Sequence, residues 1–390
     1  MEYELEQEIN NYKSYFDLGG HHYLNCAYMG PLATSTKNEG IAAIERKSNP
    51  KYVTKEHFFC HSTEIRQRFS KLINEGEPSS IAIIPSVSYG MSIVANNVDI
   101  REGQKIIVVA DEMPSNYYIW YRLAKEKNAE LVVVDKPSDA NVRSDEWNQT
   151  LLSTISDSTA IVSVPNVHWL DGCLFDLATI SQKTHEHGGL LIVDGTQSIG
   201  AYPFDNKIIR ADAVVCAGYK WLLGPYAISV AYFSEKFWKG KPLEEGWLNR
   251  KNSNDFESLT NYQDQYREGA IRFDMGQSSN FFNGPMLADS LRNTEIWTPS
   301  KVSEHCAALN SLLLEELCDM PIKALAQDQR GPHYVGLEID PMFLEKIGPK
   351  FSDNNVSVSV RNGNIRITPH IYNDNEDIKA LVKVVRSSLK

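Results

Sequence analysis

No stretch of the chain stays apolar for the roughly 18–20 residues that a membrane-crossing helix needs. Excess positive charge is also missing. With 39 Lys and Arg against 50 Asp and Glu, the formal net charge is −11. A general nucleic-acid binder would need a basic stripe, so that class is set aside. Cysteines are few and scattered, at 26, 60, 173, 216, 306 and 318, and none forms a CxxC pair. This excludes a zinc or dithiol redox motif and makes a cytoplasmic chain with free thiols the default. The opening MEYELEQEINNY is acidic and amphipathic, unlike a signal or transit peptide, and reads as a surface helix. At 390 residues the chain is too long for one small core and suggests two domains.

The segment Leu190–Tyr226 organises what is present: LLIVDGTQSIGAYPFDNKIIRADAVVCAGYKWLLGPY. Two short apolar runs, Leu190–Val193 and Ala213–Ala217, are bounded by turn residues and read as buried strands. One ends in Asp194, followed by Gln197; the other runs into Tyr219-Lys220. In open α/β sheets the carboxyl ends of the strands carry the site. A lone Asp or Lys is usually a cap or a surface residue. Lys220, however, precedes Trp221-Leu222-Leu223-Gly224-Pro225, which contains no charge. A lysine there is desolvated, and desolvation lowers its pKa and frees the amine for Schiff-base chemistry. Pyridoxal phosphate needs such a lysine and a carboxylate against its ring nitrogen.

VDGTQS followed by GYKWLLGP resembles the class V aminotransferases, fold-type I pyridoxal-phosphate enzymes that include cysteine desulfurases, kynureninases and isopenicillin-epimerase-like proteins. The resemblance runs from about Tyr23 to Asp377. It implies an α/β fold with a mostly parallel, seven-stranded-type sheet in a large domain, residues 1–284, and a smaller C-terminal α+β domain, residues 285–390. It further implies that Lys220 holds pyridoxal 5'-phosphate as an aldimine, that Asp194 pairs with the ring nitrogen, and that Gln197 meets the ring hydroxyl oxygen.

Other segments extend the pattern. Ile81–Ile84 reads as a strand, and Pro85-Ser86-Val87-Ser88-Tyr89-Gly90 leads into a helix over Met91–Val98. The free N–H groups of a first helical turn favour an anion. By the resemblance Val87 and Ser88 hold the cofactor phosphate, with Ser86 where the family more often has Gly. Lys105–Ala110 is a further strand. Met113 after it stands where the family stacks His or Phe on the pyridine ring. Its thioether can pack on an aromatic face but cannot move protons, and plain core filling is its other reading. Leu131–Val134 and Ala160–Val164 read as strands, and repeated strand–helix alternation supports a mostly parallel sheet.

After Ala160–Val164 come Asn166, His168 and Trp169, with Trp169 where desulfurases place an Asn near the cofactor. Trp169 is expected to line the pocket; His168 is either a general base or a hydrogen-bonded structural histidine. His21–Leu32 is a turn-rich loop or, by the resemblance, a pocket segment that brings Asn25 to the substrate. Tyr219 is expected to bond the phosphate. Glu244–Tyr266 reads as a long loop, a lid or a dimer contact. In the resemblance Gly276 and Gln277 reach the partner's phosphate across a homodimer. Near the C-terminus, Asn362-Gly363 signals a hairpin. Asn364–Asn373 resembles the family's tail, and the resemblance implies that Arg366 takes the substrate carboxylate, with Arg361 as a weaker candidate; without it Arg366 reads as a sheet-surface arginine.

Within the family, desulfuration would need a nucleophilic cysteine ahead of Arg366, and no cysteine follows Cys318. The expected reaction is transamination of a small amino acid, with a lyase or epimerase using the same lysine as the alternative. A non-catalytic relative of the fold is disfavoured because Lys220, Asp194 and Arg366 are all present.

Overall fold

The structure is a computed structural model and describes residues 12–389. The surface helix expected over residues 1–12 therefore falls almost wholly outside the described residues. The short β-branched runs do form strands. After β1 (His22–Tyr23) come β2 (Ile81–Ile84), β3 (Lys105–Val109), β4 (Glu130–Val134), β5 (Thr159–Pro165), β6 (Leu190–Asp194), β7 (Ala213–Ala217) and β8 (Ser229–Phe233). Strands β2 to β8 form one seven-stranded sheet in the order β2-β8-β7-β6-β5-β3-β4, and β8 alone runs against the others.

Both faces of this sheet are covered, which explains why its strands are apolar throughout rather than alternating. On one face Ile107, Val162, Leu191, Val193 and Val214 pack with Ile65 and Phe69 of helix Cys60–Leu72 and Trp147 of helix Arg143–Thr154. On the other, Ile106, Val108, Ile161, Ile192 and Val215 meet Met91 and Val94 of helix Val87–Asn96 and Trp120 of helix Tyr118–Lys127.

Register brings the chemistry to one edge. Pro165 pairs with Asp194 and Asp194 with Val215, while Ala217 pairs with Ser229 and Ser229 with Ile84. The C-terminal ends of β2, β5, β6 and β7 therefore stand level. Neighbouring strands lie about 4.8 Å apart, so the turn after β2 and the turn after β7 are roughly 10 Å apart along that edge.

The C-terminal part builds its own core. Strands β9 (Val335–Glu338), β11 (Ser359–Arg361) and β12 (Asn364–Ile367) form an antiparallel sheet, and β10 (Val356–Ser357) pairs in parallel with β1. Leu24 joins Val335, Leu337, Ile365, Ile378 and Leu381 in the same cluster, so the N-terminal arm is stitched to the C-terminal unit. Helix Asn283–Trp297 sends Leu287, Ala288 and Leu291 into the core of the large sheet, and a division after residue 284 cuts its first turn. Residues 356–361 form two short strands, β10 and β11, because the two halves pair with different partners. Asn362 and Gly363 both have positive φ, 44° and 81°, as a two-residue hairpin turn of this hand requires. Among the described residues no helix is long and apolar enough to cross a membrane.

Candidate active site

At the carboxyl edge of the sheet lies a cavity of about 340 Å³, walled by Ala27, Tyr28 and Met29 of the arm, Met113, Trp169, Tyr219, Lys220, Tyr226, Arg361 and Arg366. Lys220 follows β7 and is only 7% exposed. Its amine is pushed down to about 8, first by burial, with Arg366 adding to the fall and Asp194 opposing it. Asp194, the last residue of β6, is buried, and burial raises its carboxyl, offset by Thr196 and by Lys220. Its Oδ1 accepts the Thr196 N–H at 3.0 Å. Amine and acid thus act on one another from adjoining strands.

The loop that carries Lys220 is held from several sides. Leu223 and Ala227 sit at φ 52° and 63°, a conformation that non-glycine residues keep only when their surroundings enforce it. The Leu223 N–H donates to the Lys220 carbonyl at 2.9 Å. The Gly30 N–H donates to the Tyr219 carbonyl at 2.8 Å. A Cβ at Gly30 would stand 2.1 Å from the Lys220 carbonyl oxygen, so only glycine lets the arm lie this close.

Trp221 is fully buried; its Nε1–H donates to Gln197 Oε1 at 2.9 Å, and Gln197 Nε2 donates to the Ala27 carbonyl at 3.4 Å. His333 bonds the Gln197 carbonyl at 2.7 Å and meets the Trp221 ring edge-on at 4.4 Å. Burial pushes the His333 imidazole down to about 4 and that of His370, near Trp221, down to about 3. Both are neutral braces beneath the lysine loop. Sequence reading passed over them, because burial of an isolated histidine leaves no periodic signal.

On the opposite wall, Arg366 is 3% exposed and sits on β12 directly across from Ser359. Its Nη1 donates to the Trp169 carbonyl at 3.2 Å, while its buried Nε has no hydrogen-bond partner. The Tyr334 hydroxyl donates to the same Trp169 carbonyl. Trp169 is anchored in turn through Nε1–H to the Asp111 carbonyl at 2.6 Å. The Arg366 guanidinium thus keeps one donor, Nε, without a partner inside the protein.

With this geometry in hand, similarity to known proteins can be weighed. The sequence profile of the family "Aminotransferase class-V" matches residues 46–390. The chain belongs to the class V aminotransferase family. An uncharacterized aminotransferase of Bacillus subtilis (strain 168) is 28% identical over 317 residues, 80% of this chain and 80% of that protein. A cysteine desulfurase of Escherichia coli (strain K12 / DH10B) is 28% identical over 185 residues, 47% of this chain and 44% of that one. Among solved structures, a mutant of a cystine C–S lyase with glycine covalently linked to its pyridoxal phosphate superposes with TM-score 0.83 at 21% identity, covering 94% of this chain and 96% of that one. An E. coli cysteine desulfurase superposes with TM-score 0.81 at 16% identity, covering 98% of both chains. At these identities the likeness is one of fold.

Class V aminotransferases depend on pyridoxal phosphate, and the residues of this chain fit that group. The unpartnered Arg366 Nε and the depressed Lys220 amine belong to residues that line this cavity, while the buried Asp194 carboxyl acts on that amine from outside the lining, as the last residue of β6. Val87 and Ser88 open helix Val87–Asn96, where Ser86 caps with its hydroxyl on the Tyr89 N–H at 3.3 Å. Their own N–H groups have no intrahelical acceptor and suit a phosphate. Tyr219, half-buried in the wall, packs against Tyr226 at 4.6 Å.

Not every expected residue reaches the cavity of a single chain. His168 is fully buried, its Nδ1 paired with Asp171 Oδ1 at 3.0 Å, and its ring lies 5.1 Å from that of Trp147. Burial alone would lower its pKa, yet Asp171 overrides this and raises it. Of its two readings, general base and hydrogen-bonded structural histidine, His168 has the geometry of the second: the Asp171 pairing holds it in the core and outside the cavity lining. Asn25, like Asp194, Gln197, Val87 and Ser88, is not among the residues that line the cavity; its Oδ1 accepts the Ser359 hydroxyl at 2.8 Å and ties the arm to the hairpin. Gly276 and Gln277 lie outside the cavity, and Gln277 is exposed. They end a segment pinned by Asp274, which pairs with buried Arg66 at 3.0 Å and accepts the Ile83 N–H at 2.8 Å.

Proposed function

We propose that this chain is a pyridoxal-phosphate-dependent aminotransferase acting on a small amino acid. The observation that carries the reading is the Lys220 amine: buried, depressed to about 8, coupled to Asp194 and facing Arg366 in one cavity. When bound, the cofactor supplies an electron sink for bonds at the substrate Cα. The rest is work for the chain's own side chains. Asp194 would balance the charge on the cofactor's ring nitrogen, Gln197 braces the lysine loop through Trp221, and Met113 and Trp169 of the cavity wall would pack against the cofactor. Val87, Ser88 and Tyr219 would hold the phosphate. Arg366, its Nε without a partner inside the protein, would fix the substrate carboxylate. Burial pushes the Lys220 amine down towards neutral pH, which favours the uncharged form that would accept the Cα proton at Nζ.

Exposed Gln277, on a segment locked to β2, suits contact with a second copy, so we take the working unit as a homodimer. Six free cysteines suit the reducing cytoplasm. A desulfurase reading is disfavoured because no cysteine lines the cavity, and the thiol of Cys26, on the arm beside it, is buried and its pKa raised by that burial. A lyase or epimerase using Lys220 is the second reading, since Met113 leaves proton handling to the lysine alone.

The test is a screen of amino acids with keto-acid acceptors, using wild type and Lys220→Ala. Formation of a new amino acid by wild type and its loss in the variant is the expected outcome. Release of ammonia, or inversion at Cα without an acceptor, would replace transamination by the second reading.

A further inference from the structure

Arg361 and Arg366 share more than a cavity. In the hairpin Arg361 pairs with Asn364, and Arg366 lies two residues beyond on the same strand. Such diagonal neighbours point to one face with Cα atoms roughly 7–8 Å apart. Both residues line the cavity that holds Lys220, Arg366 buried and Arg361 exposed, and the Tyr334 hydroxyl feels both charges. Arg361 donates only to its neighbour's carbonyl, Val360, at 2.9 Å. Among the described residues no carboxylate pairs with it, and no Asp or Glu lines the cavity. The wall thus presents three cationic side chains, at 220, 361 and 366, of which Lys220 is occupied by the cofactor and Arg366 by one carboxylate. A neutral side chain would leave the third charge facing an apolar substrate group. An unmatched cation in a binding wall is a selective element, favouring a ligand with a second anion and rejecting its neutral isostere.

We infer that the substrate is an amino acid with an anionic side chain, a four- or five-carbon dicarboxylate, whose distal carboxylate is held by Arg361 while Arg366 holds the α-carboxylate. This rests on the proposed pyridoxal-phosphate chemistry of the same cavity and adds the class of substrate to it. Two arginines on one hairpin face, with Cα atoms roughly 7–8 Å apart, offer each end of such a dicarboxylate its own cation. Arg361 is a specificity residue and takes no part in proton transfer.

The test is titration of the cofactor-loaded protein with L-aspartate and L-glutamate against L-asparagine and L-glutamine, read by the change in cofactor absorbance. Each amide matches its acid in shape and lacks only the charge. The acids should act at concentrations at least about tenfold below the amides. Arg361→Gln should bring acid and amide to within about twofold while keeping the cofactor band, and Arg361→Lys should restore part of the preference. Equal response to acids and amides in wild type, or an undiminished preference in Arg361→Gln, overturns the inference while leaving the cofactor chemistry standing. Failure of wild type to form a cofactor band at all overturns both.

Discussion

Gly30→Ala probes how tightly the arm is seated on the catalytic loop. An alanine Cβ would sit 2.1 Å from the Lys220 carbonyl oxygen and 2.7 Å from Leu223 Cδ2. Carbon–oxygen contacts settle above about 3 Å, so one of the two backbones must retreat by about 1 Å. Neither is free to do so. The Gly30 N–H holds the Tyr219 carbonyl at 2.8 Å, and the Lys220 carbonyl holds the Leu223 N–H at 2.9 Å. Overpacking of this kind costs about 1–3 kcal/mol of stability. Displacing a reacting group by about 1 Å costs on the order of a hundredfold in rate. The assay mixes apoprotein with pyridoxal phosphate, quenches with borohydride at set times and measures fixed cofactor, alongside denaturant unfolding. Gly348→Ala is the control. Gly348 lies inside helix Pro341–Asp353 with nothing near its absent Cβ, so alanine there should gain up to about 1 kcal/mol and leave capture unchanged. Capture by Gly30→Ala at the wild-type rate and unaltered stability would refute the seating of the arm on Lys220.

Arg366→Ala should weaken amino-acid binding roughly a hundredfold while the cofactor stays bound; loss of cofactor with substrate affinity intact would reassign it. Asp194→Asn removes the charge that holds the Lys220 amine up, so the pH midpoint of cofactor capture should fall below about 8; an unchanged or higher midpoint contradicts the coupling. His333 has its folded pKa depressed to about 4 from 6.5, so the unfolded chain binds the extra proton between those values. Its contribution is complete above about pH 6.5 and is lost as pH falls towards 4, a difference of about 3 kcal/mol. Wild type should therefore lose about that much more than His333→Gln between pH 7 and pH 4 in urea unfolding; parallel losses would show His333 to be solvated.

The strands and the edge of the sheet that carries the site were legible because fully buried parallel strands are short, β-branched and bracketed by turn residues, as in Leu190–Val193 and Ala213–Ala217. The lysine could be singled out because its neighbours Trp221 to Pro225 offer no charge and no water. Helix Cys60–Leu72 was harder to see. Its buried face mixes Ile65 and Phe69 with Ser62, Arg66 and Ser70, and Arg66 is inside only because Asp274 pairs with it from 208 residues away. Asn25 shows the same long-range dependence, through Ser359, whereas the partner of His168, Asp171, is only three residues away. A polar residue beside a pocket segment can turn to Ser359 or Asp171 instead of the ligand, and spacing does not tell which. Glu112 escaped notice for the reverse reason. An acid next to Met113 reads as surface, yet it is buried, with its carboxyl raised to about 8 by that burial.

The central claim is that one buried amine, Lys220, carries the cofactor. Borohydride reduction of the protein loaded with pyridoxal phosphate, followed by peptide mass mapping, tests it directly. The account predicts a phosphopyridoxyl group on Lys220 and on no other lysine. A label on a different lysine, or none after full loading, would contradict it.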